Sequence, residues 1–271
     1  MSNSRAIVSA HTAEQLPAFF GELGAWADEA GVPCERMRYG DDPDQELDLR
    51  VPGGAGPHPV AIVLHGGFWR AGFTRSNTDA LATALTGAGW ATANVEYRRL
   101  GPGAYRAMLD DVAAARGLLD ELASTLDLDR AVATGHSAGG QLALWLAAQG
   151  GAARAVPLGG VCDLESAARA GLGGYAVREL LGGGPDEVPD AYDEADPGRR
   201  LPIGAPQLLV HGTADDRVPI ELARAYAQRA RAAGDDCRLL ELDGIDHFDV
   251  IDPRETCWSA VCAAVTGAAV R

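Results

Sequence analysis

The stretch from residue 130 to residue 148 reads RAVATGHSAGGQLALWLAA. An apolar run typical of a strand comes first, an Ala- and Leu-rich run typical of a helix comes last, and GHSAG stands between them. A serine at the centre of such a strand-to-helix turn is held on a strained backbone that exposes its hydroxyl, and only small neighbours let the chain turn so sharply. The stretch therefore predicts that Ser137 is a nucleophile, with positive potential from the helix N-terminus beneath it.

Strand and helix patterns alternate on both sides of this turn, and continuous apolar runs such as VAIVLHGG are typical of buried parallel strands. The alternation predicts an α/β fold with a mostly parallel eight-stranded sheet and helices on both faces. The predicted strands are residues 36–40, 46–52, 60–67, 90–98, 130–137, 155–161, 206–212 and 237–244. The predicted helices are residues 11–31, 77–88, 103–124, 138–149, 219–233 and 254–268.

The chain is predicted to comprise a short arm and one large domain, because a single α/β domain reaches roughly 200–250 residues. Apolar residues at helical spacing predict an N-terminal helical arm at residues 1–35, followed by the domain at residues 36–271. The Gly- and Pro-rich residues 163–205 are too long for a plain connection and predict a small cap insertion over the active site. The expected apolar anchors of this insertion are Leu172, Tyr175, Leu180, Leu181 and Tyr192.

The composition argues against several classes of partner. With 23 basic and 38 acidic residues the formal net charge is −15, so nucleic-acid backbones and anionic lipid surfaces are repelled. The five scattered cysteines fit neither a disulfide framework nor a zinc cage, and no apolar run approaches the roughly 18 residues of a membrane span. We therefore expect a cytoplasmic protein with a small-molecule substrate, no nucleic-acid or membrane partner, no metal and no cofactor; a homodimer stays open.

A serine hydroxyl is a weak nucleophile at neutral pH, so a base must accept its proton and a carboxylate must orient that base. Around a turn of this kind the order along the chain is serine, acid, histidine. His247 follows the last predicted strand and is the predicted base, whereas His211 precedes the acid candidates and is expected to be structural. Asp215 is the predicted acid and Asp216 is the alternative, because adjacent side chains point to different sides.

Backbone donors for a tetrahedral oxyanion are the third requirement, and each lowers the barrier by roughly 2.7–4 kcal/mol. One predicted donor is the N–H of Ala138, the residue after the nucleophile. The others are predicted at Gly67 and Phe68, in the loop after the third strand, where the glycines of HGGFW allow N–H groups to turn inward. His65 is expected to brace this loop rather than to exchange protons with a substrate.

The chain resembles the α/β-hydrolases, and within them the serine-dependent arylformamidase (kynurenine formamidase) group, from about residue 45 onward. The resemblance implies the α/β-hydrolase fold and carries the triad roles onto Ser137, Asp215 and His247. HGTADDRVP at residues 211–219 departs from that group and is similar to prolyl-oligopeptidase-type peptidases and carboxylesterases. The motifs that carry the resemblance are HGGFW, VEYRRLGPG followed by MLDDVAAA, GHSAGGQLA, GGVCDLES and DHFDVID.

The resemblance implies an arylformamidase that acts on N-formylkynurenine-like aryl formamides without a metal. Ser137 would attack the formyl carbon, and His247 would protonate the departing nitrogen and then activate water. The alternatives that use the same residues are a short-acyl carboxylesterase and a prolyl-oligopeptidase-like peptidase or acyl-transfer enzyme. The alternative from another class is a hydrolase-fold binding protein with little turnover.

An aromatic leaving group needs a flat apolar wall beside the nucleophile. Trp69, Tyr97, Tyr175 and Phe248 are the predicted substrate-binding residues, and Trp69 and Phe248 adjoin the predicted catalytic segments. Solvated loop carboxylates are expected around the predicted base at Asp243, Asp246 and Asp249.

Overall fold

The computed structural model describes residues 12–99, 101 and 103–268, in which the chain forms an eight-stranded sheet flanked by helices. Residues 1–11 of the predicted arm, the last three residues of the predicted domain and residues 100 and 102 of the motif VEYRRLGPG lie outside the described residues. The strands are β1 (Glu35–Arg38), β2 (Glu46–Arg50), β3 (His58–Leu64), β4 (Ala91–Val95), β5 (Leu126–His136), β6 (Arg154–Leu158), β7 (Gln207–Gly212) and β8 (Cys237–Leu242). The helices are α1 (Leu16–Glu29), α2 (Asp79–Gly87), α3 (Tyr105–Leu118), α4 (Ala138–Ala148), α5 (Leu164–Arg169), α6 (Leu172–Leu181), α7 (Pro189–Ala195), α8 (Ile220–Ala232) and α9 (Trp258–Thr266).

The order of the strands in the sheet is β1-β2-β4-β3-β5-β6-β7-β8. β2 pairs antiparallel with β1 and with β4, and the neighbouring pairs from β4 to β8 are parallel. The chain runs from β3 to β4 on one side and then crosses to β5 on the other side of β3, so the winding reverses between β3 and β5. Open α/β sheets bind ligands at the carboxyl ends of strands at such a point. The predicted mostly parallel, eight-stranded sheet is confirmed.

Helices cover both faces of the sheet because successive side chains of a strand point to opposite sides. On β3, Val60, Ile62 and Leu64 belong to the core that α3 and α4 share, whereas Ala61 and Val63 belong to the core that α2 and α9 share. All five side chains are fully buried. The centre of the sheet therefore requires a strand that is apolar on both faces, as in VAIVL at residues 60–64.

Most predicted boundaries differ from the structure by a few residues, and two of the differences have a plain cause. β5 begins at Leu126, before the predicted start at residue 130, because Leu126 pairs with His58 of β3 across a shift in register. The helix predicted at residues 103–124 is divided into α3 and a 3-10 helix at Leu119–Leu122. Both differences arise at the ends of elements, where strand pairing and helix capping decide the boundary more than the spacing of apolar residues does.

Three short helices, α5 to α7, occupy the chain between β6 and β7. Leu180, Leu181 and Tyr192 are buried there, as expected of apolar anchors. Tyr175 is instead 61% exposed, which corrects its prediction as an anchor. Its φ of 65° continues a left-handed turn that begins at Gly173, and this irregular backbone within α6 takes the ring away from the apolar face. The division into arm, domain and cap stays a prediction.

α1 packs against α2 through one stripe of apolar side chains. Phe19, Leu23 and Ala27 are spaced by one helical turn each and are buried in a cluster with Ala80 of α2. The rest of the helix is more polar, and Glu22 lies 3.6 Å from Arg254 in an ion pair. Like every other helix in the described ranges, α1 lacks the combination of length and apolar character needed to cross a bilayer.

Gly139→Ala is expected to destabilise the fold. A Cβ at residue 139 would lie 2.1 Å from the carbonyl oxygen of Leu64 and 2.6 Å from that of His65, so α4 would have to move away from β3. Overpacking of this kind costs typically about 1–3 kcal/mol. The free energy of unfolding, measured in urea, should fall by about that amount.

Gly117→Ala, on the exposed side of α3, is the matched control. No other part of the described structure lies within 4 Å of the added Cβ, and alanine is the better helix former by about 1 kcal/mol. Its free energy of unfolding should stay the same or rise. An unchanged stability of Gly139→Ala would contradict the close packing of α4 on β3.

Candidate active site

Ser137 lies on the turn between β5 and α4 with φ 54° and ψ −116°, outside the regions that non-glycine residues favour. The neighbouring glycines make the turn possible, because a Cβ on Gly135 would lie 2.3 Å from the carbonyl oxygen of Gly139. The N–H of Ser137 donates to the carbonyl of Leu158 (2.9 Å), and its carbonyl accepts from the N–H of Val161 (3.0 Å). These bonds tie the strained turn to β6 and hold it at the carboxyl edge of the sheet.

Asp215 and His247 form a buried pair. Nδ1 of His247 lies 2.7 Å from Oδ2 of Asp215, and Oδ1 of Asp215 accepts the backbone N–H groups of Arg217 (2.9 Å) and Val218 (2.8 Å). The fixed carboxylate selects the tautomer in which His247 donates from Nδ1 and keeps Nε2 as a proton acceptor. Asp216, the alternative acid, instead pairs with Arg217 (3.3 Å).

Asp215 is arranged to remain ionised. Burial raises its pKa, but attraction to His247 and hydrogen bonds from His211 and His247 outweigh burial and hold the pKa well below its usual range. Nε2 of His211 lies 3.2 Å from Oδ2 of Asp215 and 2.8 Å from the carbonyl oxygen of Val218. His211 is expected from the sequence to be structural, and it lies beside Asp215, where it stabilises the ionised carboxylate.

His136, which precedes Ser137, is a site residue that the sequence analysis did not single out. Its Nε2 lies 2.8 Å from the carbonyl oxygen of His247, and the two ring centroids are 4.5 Å apart. Burial, with repulsion from His247, lowers the pKa of His136 to about 3, so the ring is neutral and donates from Nε2. It connects the turn of Ser137 to the loop of His247. The motif GHSAG gives no sign that the side chain of His136 contacts the loop of His247, so the sequence could not predict this contact.

The loop after β3 packs directly on the turn of Ser137. A Cβ on Gly66 would lie 3.0 Å from the Cβ of Ser137, so this approach requires glycine. Gly67 and Phe68 have φ values of 110° and 50°, which orient their peptide groups differently from those of a strand. No acceptor among the described residues takes a hydrogen bond from the backbone N–H of Gly67, Phe68 or Ala138. The three predicted donors therefore lie on the two segments that meet at Ser137, and their role in binding an oxyanion stays a prediction.

His65 braces this loop from within the fold. Its Nε2 lies 2.9 Å from Oε1 of Glu96, its Nδ1 lies 2.9 Å from the carbonyl oxygen of Gly66, and its ring stacks on Tyr97 at 4.2 Å. Burial, with repulsion from Arg99, lowers the pKa of His65 to about 3. The ring is fully buried and both of its nitrogens contact protein groups, which fits a brace and not a proton donor to a substrate.

A cavity of about 290 Å³ opens above Ser137. Ser137 and His247 both line it, so the structure brings the predicted nucleophile and the predicted base to one space. The ring of Phe248 lies 5.1 Å from that of His247 and forms part of its wall. The other aromatic side chains of the wall are Phe20, Phe68 and Phe73.

Three of the four predicted substrate-binding aromatics do not line this cavity, whereas Phe248 does. Trp69 is buried and donates from Nε1 to a glutamine of α4 (3.2 Å). Tyr97 is buried and its hydroxyl donates to the carbonyl at the start of the β3 loop (2.8 Å). Tyr175 is exposed on α6. Positive φ at both Phe68 and Trp69 reverses the loop, so that Phe68 and not Trp69 faces the cavity.

Asp246 is buried rather than solvated, which corrects its prediction. Its Oδ1 accepts the N–H groups of Phe248 (2.8 Å) and Asp249 (2.9 Å). An aspartate that bonds the backbone two and three residues on closes a tight turn, and this turn holds His247 toward Asp215. Asp243, by contrast, is exposed as expected.

Comparison with known proteins agrees with this architecture. Residues 47–170 match the family model described as BD-FAE. The solved structure of a bacterial heroin esterase matches with a TM-score of 0.75 at 24% identity, over 95% of this chain and 90% of that chain. Esterase B from Lactobacillus rhamnosis matches with a TM-score of 0.72 at 20% identity, over 96% of this chain and 93% of that chain. The chain has the α/β-hydrolase fold.

A curated relative extends the comparison. Esterase LipC of Mycobacterium tuberculosis is 30% identical over 260 residues, which is 86% of this chain. The chain spans 64% of the length of LipC. The BD-FAE match includes the β3 loop and Ser137 of the α/β-hydrolase fold and ends before Asp215 and His247. The prediction that Asp215 and His247 are site residues therefore rests on the geometry of this chain and not on the family match.

A fluorophosphonate probe is expected to form one covalent adduct, on Ser137, detected by intact mass. Ser137→Ala should abolish the adduct because the α/β-hydrolase turn then carries no hydroxyl. Ser259→Ala is the control, since Ser259 is an exposed residue of α9, and this variant should be labelled at the rate of the unsubstituted chain. An adduct that persists in Ser137→Ala would exclude Ser137 as the nucleophile.

Asp215→Asn is expected to slow this labelling steeply, because an amide holds His247 in the wrong tautomer. The same change in a serine triad costs on the order of 10⁴-fold in turnover. Asp216→Asn, at the neighbouring carboxylate that pairs with Arg217, should label at nearly the original rate. Equal losses in the two variants would contradict the assignment of Asp215 as the acid.

Proposed function

We propose that this chain is a serine carboxylesterase that hydrolyses short-acyl esters through an acyl-enzyme. One observation carries the proposal: the fixed Asp215–His247 pair and Ser137 meet at the same cavity, and unused backbone N–H groups border Ser137. An alcohol, a base, an ionised carboxylate and oxyanion donors are the complete set that acyl transfer needs.

The proposed reaction begins when Oγ of Ser137 attacks the ester carbonyl and Nε2 of His247 takes its proton. The oxyanion accepts hydrogen bonds from the N–H groups of Gly67, Phe68 and Ala138, and the N-terminus of α4 adds favourable potential. His247 then gives the proton to the alcohol oxygen, which leaves. Water, deprotonated by His247, releases the carboxylic acid and restores Ser137.

The comparisons support an ester as the substrate, since LipC, the heroin esterase and esterase B are all named esterases. The arylformamidase interpretation is the second candidate. HGGFW and DHFDVID favour it, and the same residues could expel an aryl amine in place of an alcohol. A binding protein with little turnover is a weaker candidate, because a scaffold without catalysis has no use for a fixed His247 tautomer.

A substrate panel tests the proposal. The kcat/KM values for p-nitrophenyl acetate, an N-formyl aryl amine and an aminoacyl anilide are expected to rank the ester first, because the alcohol is the better leaving group. Ser137→Ala should abolish hydrolysis of all three. The exposed-serine variant Ser259→Ala should retain the full rates.

The panel also separates the alternatives. A higher kcat/KM for the formamide than for the ester would replace the esterase by the arylformamidase. Preference for the anilide would favour the peptidase. Stoichiometric labelling of Ser137 by a fluorophosphonate without turnover of any of the three substrates would favour the binding protein.

A further inference from the structure

α1 carries further apolar side chains beside the three that are buried in the core. Phe19, Leu23 and Ala27 face α2 and are buried. Leu16 and Phe20, one turn apart, form a second stripe beside the first on the same side of the helix, since at 100° per residue each lies within about 60° of Leu23. Both side chains are only half-buried, and both line the cavity that holds Ser137 and His247. The second stripe therefore packs partly on the core and partly borders the space above the site.

This stripe lies on the side of the cavity that belongs to the base. The ring of Phe20 contacts that of Phe248 edge-on, with centroids 5.9 Å apart, and the ring of Phe248 lies 5.1 Å from that of His247. The guanidinium carbon of Arg217 lies 5.9 Å from the same Phe248 ring. The wall thus continues without a break from His247 to α1.

The position of the base fixes which part of an ester would meet this wall. In acylation the imidazole must give its proton to the departing oxygen, so the leaving alcohol lies on the histidine side of the serine. The acyl group is attached to the same carbon but extends away from the base. A surface that continues from His247 through Phe248 to Phe20 therefore borders the alcohol.

We infer that Leu16 and Phe20 of α1 form the outer wall of a leaving-group subsite that takes an aromatic or compact apolar alcohol. The inference rests on the proposed function. At about 290 Å³, the cavity is at the small end of the roughly 300–1,000 Å³ range of ligand pockets. The aromatic rings of the wall offer edges and faces for a further ring. The BD-FAE match begins at residue 47, after α1, so it does not include this wall.

Three esters separate the alcohol side from the acyl side. Methyl acetate and benzyl acetate share the acyl group and have alcohols of similar acidity, so their kcat/KM ratio reports contacts to the alcohol. Benzyl acetate and benzyl butyrate share the alcohol, so their ratio reports contacts to the acyl group. Each ratio is taken within one variant of the full chain, so partial loss of folded protein cancels.

Phe20→Ala should lower the benzyl-to-methyl ratio by about tenfold, the loss expected for an aromatic contact of about 1.4 kcal/mol. The acetate-to-butyrate ratio should change by less than twofold. Leu16→Trp, which keeps α1 apolar and fills the space, should also lower the benzyl-to-methyl ratio. Asp28→Ala, on the exposed side of α1, is the control and should change neither ratio.

The outcomes that overturn the inference are distinct. If Phe20→Ala changes the acyl ratio and spares the alcohol ratio, the wall borders the acyl group. If neither ratio changes in Phe20→Ala and Leu16→Trp, the second stripe is not a subsite.

A competition experiment tests the subsite without turnover. Benzyl alcohol should slow fluorophosphonate labelling of Ser137 at a much lower concentration than methanol does, and Phe20→Ala should remove most of that difference. If no ester is hydrolysed and this protection is still found, the esterase proposal fails while the subsite stands. If esters are hydrolysed and the protection is the same in Phe20→Ala, the subsite fails while the esterase proposal stands.

Discussion

The left-handed backbone at Ser137 is the constraint on which the rest of the site depends. A non-glycine residue in that region destabilises the fold by on the order of 1–3 kcal/mol. Contacts with the surrounding structure must offset this free energy. Hydrogen bonds to β6 hold both backbone groups of Ser137, and α4 crosses β3 so closely that residues 135 and 139 have no room for a Cβ. The serine cannot relax without separating β3, β5 and α4. The loop after β3 packs on the same turn, so one set of contacts positions both the proposed nucleophile and the proposed oxyanion donors.

The site combines an ionised carboxylate, Asp215, with a buried neutral imidazole, His136. Asp215 retains its charge because two backbone N–H groups and two histidines surround it. His136 adds no charge, since burial lowers its pKa to about 3. The ionised Asp215 thus lies directly beside His247, while Arg70 and Arg217 add positive charge to a cavity wall that is otherwise rich in aromatic side chains.

The proposed catalytic groups and the outer part of the cavity wall come from different parts of the chain. The segments that follow β3, β5, β7 and β8 carry the proposed reacting groups at the carboxyl edge of the sheet. α1, which precedes the sheet in the chain, closes the space from outside through Leu16 and Phe20. We expect a change in α1 to alter the shape of the space without disturbing the turn of Ser137, so that under the proposed function the same sheet could serve different esters.

The sequence by itself determined the sheet, the turn of Ser137, the chain order that leads to His247, and the glycines of the β3 loop. These are local properties, because burial of a strand on both faces and the steric demands of a sharp turn are written in neighbouring residues. Only the tertiary structure decided between Asp215 and Asp216, through the N–H groups of Arg217 and Val218 that fix one carboxylate. It also decided the wall: Trp69 and Tyr97 are aromatic residues next to site segments, yet backbone reversal at Phe68 and Trp69 and the packing of α1 put Phe68 and Phe20 on the cavity instead. The sequence did not predict the role of His136 for the same reason. Its partner is the carbonyl of His247, far along the chain, and contacts between such distant residues follow from tertiary packing and not from the hydrophobic periodicity of the sequence.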